Sequence, residues 1–139
     1  MAFACEDVVN VLRAREDEAA GPATFKNVID GMAAADFPAP AGRWFAIFCF
    51  FSEEPQLIAN CRIIVEHEKG ELIAQKALRD LTFTPENPIS RNVVSFQGLL
   101  WPYPGGYLVK FVASSDDLLA YFPIWVRHEP AAAQEEVQA

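Results

Sequence analysis

Trp101-Pro-Tyr-Pro-Gly-Gly-Tyr-Leu-Val-Lys-Phe-Val-Ala-Ser-Ser-Asp-Asp-Leu-Leu-Ala-Tyr-Phe-Pro-Ile-Trp-Val126 decides how this 139-residue chain is read. Pro104-Gly105-Gly106 breaks the chain, and an extended run follows. Tyr107, Val109, Phe111 and Ala113 fall on one face of it, with Leu108, Lys110 and Val112 on the other, which is the two-residue period of a strand. Ser114 to Asp117 supplies turn chemistry, because short polar side chains bond their own backbone. Leu118, Ala120, Phe122, Ile124 and Val126 alternate on the way back. A chain that closes on such a hairpin is expected to be all-β. The predicted fold is a two-sheet antiparallel β-sandwich, immunoglobulin-like or jelly-roll-like, with roughly eight strands.

The same period extends upstream. Ala2 to Leu12 reads as a strand with Phe3, Cys5, Asp7, Val9 and Val11 on one face, and Ala23 to Met32 as a second. Arg13 to Pro22 between them is charged and reads as a solvated loop or a short helical turn. Two prolines and Gly42 make Ala33 to Gly42 an irregular crossover. Trp44 to Phe51 is the most apolar run and does not alternate, so both of its faces should be covered. Leu57 to Glu68 is a strand whose end alternates Cys61, Ile63 and Val65 against Arg62, Ile64 and Glu66. Lys69-Gly70 turns it back into Glu71 to Leu78. A helix over 70–81 competes, and the tight turn favours the strand. Thr82 to Ile89 reads as a loop and Ser90 to Leu100 as a strand. Residues 1–128 form one domain of ordinary size, and 129–139 an acidic, disordered tail.

The net charge of −8 argues against nucleic acid and against an anionic membrane surface, both of which need clustered Lys and Arg. Trp44 to Phe51 is too short to span a bilayer. Met1-Ala-Phe-Ala-Cys-Glu-Asp7 carries no export signal, so the expected compartment is cytoplasmic. Cys5, Cys49 and Cys61 are odd in number and without paired spacing, which predicts reduced thiols.

The order of several segments resembles a family of small bacterial β-sandwich proteins of unknown function. The matching pieces are Ala4-Cys5-Glu6-Asp7, Asn27-Val28-Ile29-Asp30-Gly31 followed by Phe37-Pro38, the apolar Trp44 to Phe51, and Pro104-Gly105-Gly106-Tyr107 with Pro123-Ile124-Trp125-Val126. The resemblance runs over Ala2 to Val126; Arg13 to Pro22 and the doubled aromatics of Arg43 to Phe51 depart from it. It implies a fold and assigns no activity.

No catalytic constellation stands out. Cys61 and His67 share a strand face, yet six residues of strand separate them by roughly 20 Å, too far for a nucleophile and its base. The expectation is a buried Cys and an exposed strand-end His. Cys5, Cys49 and His128 add no metal-ligand spacing. Ser114-Ser115-Asp116-Asp117 lacks the glycine elbow of a nucleophile and reads as a turn. The acids Glu6, Asp7, Glu16, Asp17, Glu18, Glu53, Glu54, Asp116 and Asp117 fall mostly in expected loops, without calcium-binding spacing. No enzyme, metal or cofactor is expected.

Trp44, Trp101, Tyr103, Tyr121 and Trp125 remain. Trp101 and Tyr103 lie in a proline-rich loop, where aromatics mark binding sites. The expected function is an uncharacterised interaction or assembly module that self-associates. The alternative is a small-ligand or carbohydrate-binding module using Trp101 and Tyr103. The expected partner is a second copy, as a twofold dimer through one outward set of the apolar run. That set is either Trp44, Ala46, Phe48 and Phe50 or Phe45, Ile47, Cys49 and Phe51.

Overall fold

The structure is a computed structural model that describes residues 1–10 and 23–130, with the side chains of 7–10, 23–28 and Ser115 left aside. The expected loop over 13–22, the end of the first expected strand, the face assigned to Asp7, and residues 131–139 of the expected tail lie outside the described residues.

Alternation holds along most of the closing strands and ends at their turn, where Phe111, Val112 and Ala113 are all buried. β12 (Gly105–Ala113) and β13 (Asp117–His128) form the expected closing hairpin, with Tyr107 opposite Ile124 and Val109 opposite Phe122. A three-residue 3₁₀ turn, Ser114–Asp116, joins them. The register shifts between Phe111 and Val112. One extra residue on a strand turns its side chains over. This explains why Phe122, Ile124 and Val126 are buried as expected while Leu118 is exposed. On the other side of β12 lies β7 (Arg62–His67), then β8 (Leu72–Ala77), so the Lys69-Gly70 turn closes a hairpin and the competing helix is absent. With β3 (Gly31–Ala34) added parallel to the end of β13, the five strands run in the order β3-β13-β12-β7-β8.

The second large sheet has the order β10-β5-β1-β2, built from β1 (Ala2–Asn10), β2 (Ala23–Ile29), β5 (Trp44–Phe51) and β10 (Ile89–Phe96). Two short ribbons complete the set: β4 (Ala39–Pro40) with β11 (Leu100–Trp101), and β6 (Gln56–Ile58) with β9 (Leu81–Phe83). The chain is therefore all-β with several sheets, and its thirteen described strands replace the expected eight or so.

The differences have local causes. The expected strand over 23–32 stops at Ile29, bends at Asp30 and changes sheets as β3, whose hydrogen bonds go to β13. Leu57 to Glu68 is two strands because Asn60 takes a left-handed conformation, with φ of 55°, which ends β6. The expected loop over 82–89 carries part of β9 and a Thr84–Asn87 bridge.

The two large sheets share one core. Phe48 of β5 meets Phe111 and Phe122 of the hairpin, ring centroids 5.3 and 5.4 Å apart. Ile63, Val65, Tyr107, Val109 and Ile124 join Trp44, Ala46 and Val94 in the same cluster. Burying each large side chain contributes about 1.5–3 kcal/mol.

Candidate functional site

The five aromatics singled out above separate into two groups. Phe96, Trp44, Trp101 and Tyr107 form a file of rings through the core, with successive centroids 4.6, 6.0 and 4.7 Å apart. His67 continues it, 4.9 Å from Tyr107. Trp101 is 1% exposed, and its indole N–H donates to the Met32 sulfur at 3.2 Å. The binding role expected for Trp101 is corrected: although Pro102 and Pro104 follow it, it pairs in β11 and points into the core. Tyr103 is half-exposed, but its backbone is held, because its carbonyl accepts from the Tyr107 hydroxyl at 2.5 Å and its N–H donates to the same oxygen at 3.2 Å. Burial raises the Tyr107 pKa above its ordinary value; the hydrogen bond to the Tyr103 backbone opposes this, and Glu71, Tyr103 and Glu68 add to it.

The expected dimer interface is corrected too. Trp44 and Phe48 are fully buried between the sheets, and Phe50 packs on Phe48 and Phe111. In the opposite set Phe45 and Ile47 are buried within the single chain, in a cluster with Cys5, while Cys49 is half-buried and Phe51 is exposed. The reading that both faces of this strand are covered holds at its first five residues, without a second copy.

His67 is buried, against the expectation of an exposed strand end, and is the buried polar side chain among the described residues. Strand alternation puts it on the same inward face as Cys61, Ile63 and Val65. Its Nδ1 accepts from the Lys69 N–H and its Nε2 lies against the Pro104 carbonyl, each at 3.4 Å; the Nε2–H tautomer satisfies both. Cys61 donates to the Ile58 carbonyl, and burial raises its thiol pKa, against a lowering bond from the Leu81 backbone and with a raising charge at Asp80. Ser114 bonds Ala59 and Asn60, and Asp116 pairs with Arg62, so this turn is structural as read. No disulfide joins the cysteines. No cluster of three metal-ligating side chains occurs among the described residues, and no helix of theirs is long and apolar enough to cross a membrane.

The second aromatic group faces solvent. On β13, Phe122, Ile124 and Val126 point inward, so Tyr121, Pro123 and Trp125 point out. Tyr121 is 57% and Trp125 53% exposed. Four residues of strand place them about 13 Å apart on one face. Lys110 lies opposite Tyr121 and Gly106 opposite Trp125. Lys110 pairs with Glu66, and Arg127 reaches Glu129 at 3.8 Å.

Gly106 is the focus of this face. A Cβ there would stand 3.2 Å from Trp125 Cζ3 and 3.0 Å from Glu68 Oε2. The indole edge and the carboxylate thus converge where a side chain is missing. Glu68 Oε2 also accepts from the Gly106 N–H at 3.2 Å, while Oε1 lies 3.0 Å from the Cβ position of Gly105. Gly105, at φ of 128°, could not carry a side chain without strain. The Gly-Gly pair visible in the sequence was read as a chain break; its second role, seating a carboxylate beside an exposed indole, depends on β7 lying next to β12 and is written in no local pattern.

A cavity of about 570 Å³ lies elsewhere, between β3, the chain around Ala39–Arg43, and Trp101, with Glu6 and Arg43 among its lining residues.

No known family profile and no curated protein matches the sequence. Among solved structures, the chain is similar to Pseudomonas fluorescens alkylpurine DNA glycosylase AlkC bound to DNA containing an abasic site analog. Sequence identity is 14% and the TM-score 0.47, over 70% of this chain and 28% of that one. That neighbour is a DNA-bound enzyme, and against it the expectations of a self-associating assembly module and of a chain without a nucleic-acid partner are withdrawn. A likeness of this size assigns no activity here.

Proposed function

We propose that the protein is a ligand-binding module whose recognition surface is the solvent face of the five-stranded sheet. The carrying observation is that Tyr121 and Trp125, both more than half exposed, stand on one face of one strand. Exposed rings on a rigid sheet are stacking platforms for flat groups with polar edges, nucleobases and pyranose rings alike. Charge does not select between these, since each cation of the face sits beside an acid: Lys110 with Glu66, Arg62 with Asp116, Arg127 with Glu129. Of these, Arg127 with Glu129 is exposed at both ends, and such a pair is worth about 0–1 kcal/mol and yields readily to a ligand.

The reading is one of binding without catalysis. Two large sheets around one core support describing the fold more finely as a two-sheet sandwich, and the order of segments supports kinship with the bacterial family of unknown function. Unbridged thiols support a cytoplasmic setting.

Acrylamide quenching tests the binding reading directly. Trp44 and Trp101 are buried, so the quenchable indole is Trp125. An oligo(dC) octamer or a β-linked glucose hexamer is expected to shield it, and Tyr121→Ala to weaken that shielding about tenfold or more, the loss of one stacked ring. Quenching unchanged by both probes at millimolar concentration overturns the reading.

A further inference from the structure

The corner formed by Trp125, Gly106 and Glu68 carries a more specific assignment. An exposed indole attracts a cation over its face. A carboxylate beside it accepts hydrogen bonds from the same group, and bonds between charged partners are about twice as strong as neutral ones. Glu68 is placed for this. One oxygen is oriented by the Gly106 N–H, which leaves the carboxylate fixed with lone pairs to spare. The Lys69 ammonium, next in sequence, has no ion pair with it. The chain as a whole carries −8, so its field also draws cations.

We infer that this corner binds the guanidinium group of a small molecule, stacked on Trp125 and donating to Glu68. Guanidinium satisfies both demands together, being flat, permanently charged and edged with N–H donors. A quaternary ammonium meets the ring but offers no donor to Glu68, and a phosphate is repelled by it. The inference rests on the reading of this face as a stacking surface, and adds which ligand group sits at its Trp125 end.

Three probes separate the contributions, each read by shielding of Trp125 from acrylamide. Methylguanidinium carries shape, charge and donors. N-methylurea keeps the flat shape and donors without charge, and tetramethylammonium keeps charge without donors. Methylguanidinium is expected to bind at least about fivefold tighter than either, and Glu68→Gln to remove that advantage. Trp125→Phe, which keeps a ring, should retain binding when followed by proton NMR of the probe. Trp125→Ala should lose it with the melting temperature unchanged, as suits an exposed side chain. Equal binding of the three probes, or an advantage that survives Glu68→Gln, overturns the inference. If the oligonucleotide or glucan shields Trp125 while methylguanidinium does not, the guanidinium assignment fails and the stacking surface stands. If none shields it, both fail. An arginine-containing peptide that binds more than tenfold tighter than methylguanidinium would replace the small molecule by a protein partner and overturn that part of the assignment.

Discussion

Trp125 rests on Gly106. The indole carbons Cε3 and Cζ3 lie 3.3 and 3.2 Å from the point where a Cβ would stand. A real Cβ there must push the ring or Glu68 aside. Gly106→Val should therefore destabilise the fold by about 1–3 kcal/mol, as overpacking does. It should also raise acrylamide access to Trp125, because the ring loses its seat. Urea melts and quenching on the same variant check both. Unchanged stability with unchanged quenching would mean that the ring does not use Gly106 as its floor.

Phe111 and Phe122 tie the closing hairpin to the opposite sheet. Both rings are buried, and both belong to the cluster that Phe48 enters from β5. Either Phe→Ala change should cost about 3–5 kcal/mol, the usual loss for a buried ring. Because both touch Phe48, the double variant should lose less than the sum of the two single losses. Losses below about 1 kcal/mol at both sites would place the core on the other face of the hairpin.

Strand alternation made the hairpin readable, since Tyr107, Val109, Phe111, Phe122, Ile124 and Val126 are core residues on a two-residue period. The turn at Lys69-Gly70 was readable in the same way, and the missing alternation of Trp44 to Phe51 marked a strand that is covered over its first five residues. Where alternation failed, the cause was non-local. Trp101 was assigned to a loop because Pro102 and Pro104 follow it, and its burial comes from pairing with Ala39, 62 residues away in sequence. His67 was placed at an exposed end because no sequence signal says that Pro104–Gly106 folds over it. The solvent face was partly legible: Tyr121 and Trp125 stood among the noted aromatics, but Glu68 joins them only through strand order.

Cysteine reactivity should follow burial. Cys61 and Cys5 are buried and Cys49 is half-buried. Burial raises the Cys61 thiol pKa, which lowers its thiolate fraction at neutral pH. Iodoacetamide at pH 8 should modify Cys49 first in the folded protein and Cys61 far more slowly, with all three modified after denaturation without reductant. Intact-mass spectra over time provide the check. Rapid modification of Cys61 in the native state would contradict its burial beneath the Ile58 carbonyl.

Tyr107 predicts how stability varies at alkaline pH. Its hydroxyl donates to the Tyr103 carbonyl, and the buried phenol holds its proton above the ordinary value of 10.0. A folded pKa raised above the unfolded one means that the folded state binds more protons as the medium becomes basic. The contribution is fully present below about pH 10 and is lost as pH rises through the folded value. Tyr107→Phe should lower stability at pH 7 by about 0.5–1.5 kcal/mol, the loss of one hydrogen bond, because the Tyr103 carbonyl loses its donor. Above pH 10 the gap should close, since the phenol ionises more readily in the unfolded chain than in the fold, which favours unfolding of the wild type, while Phe has no proton to lose. Urea melts of both proteins at pH 7, 9, 10 and 11 decide it. A gap that stays constant, or widens with pH, would mean that Tyr107 does not hold the Tyr103 loop by its proton.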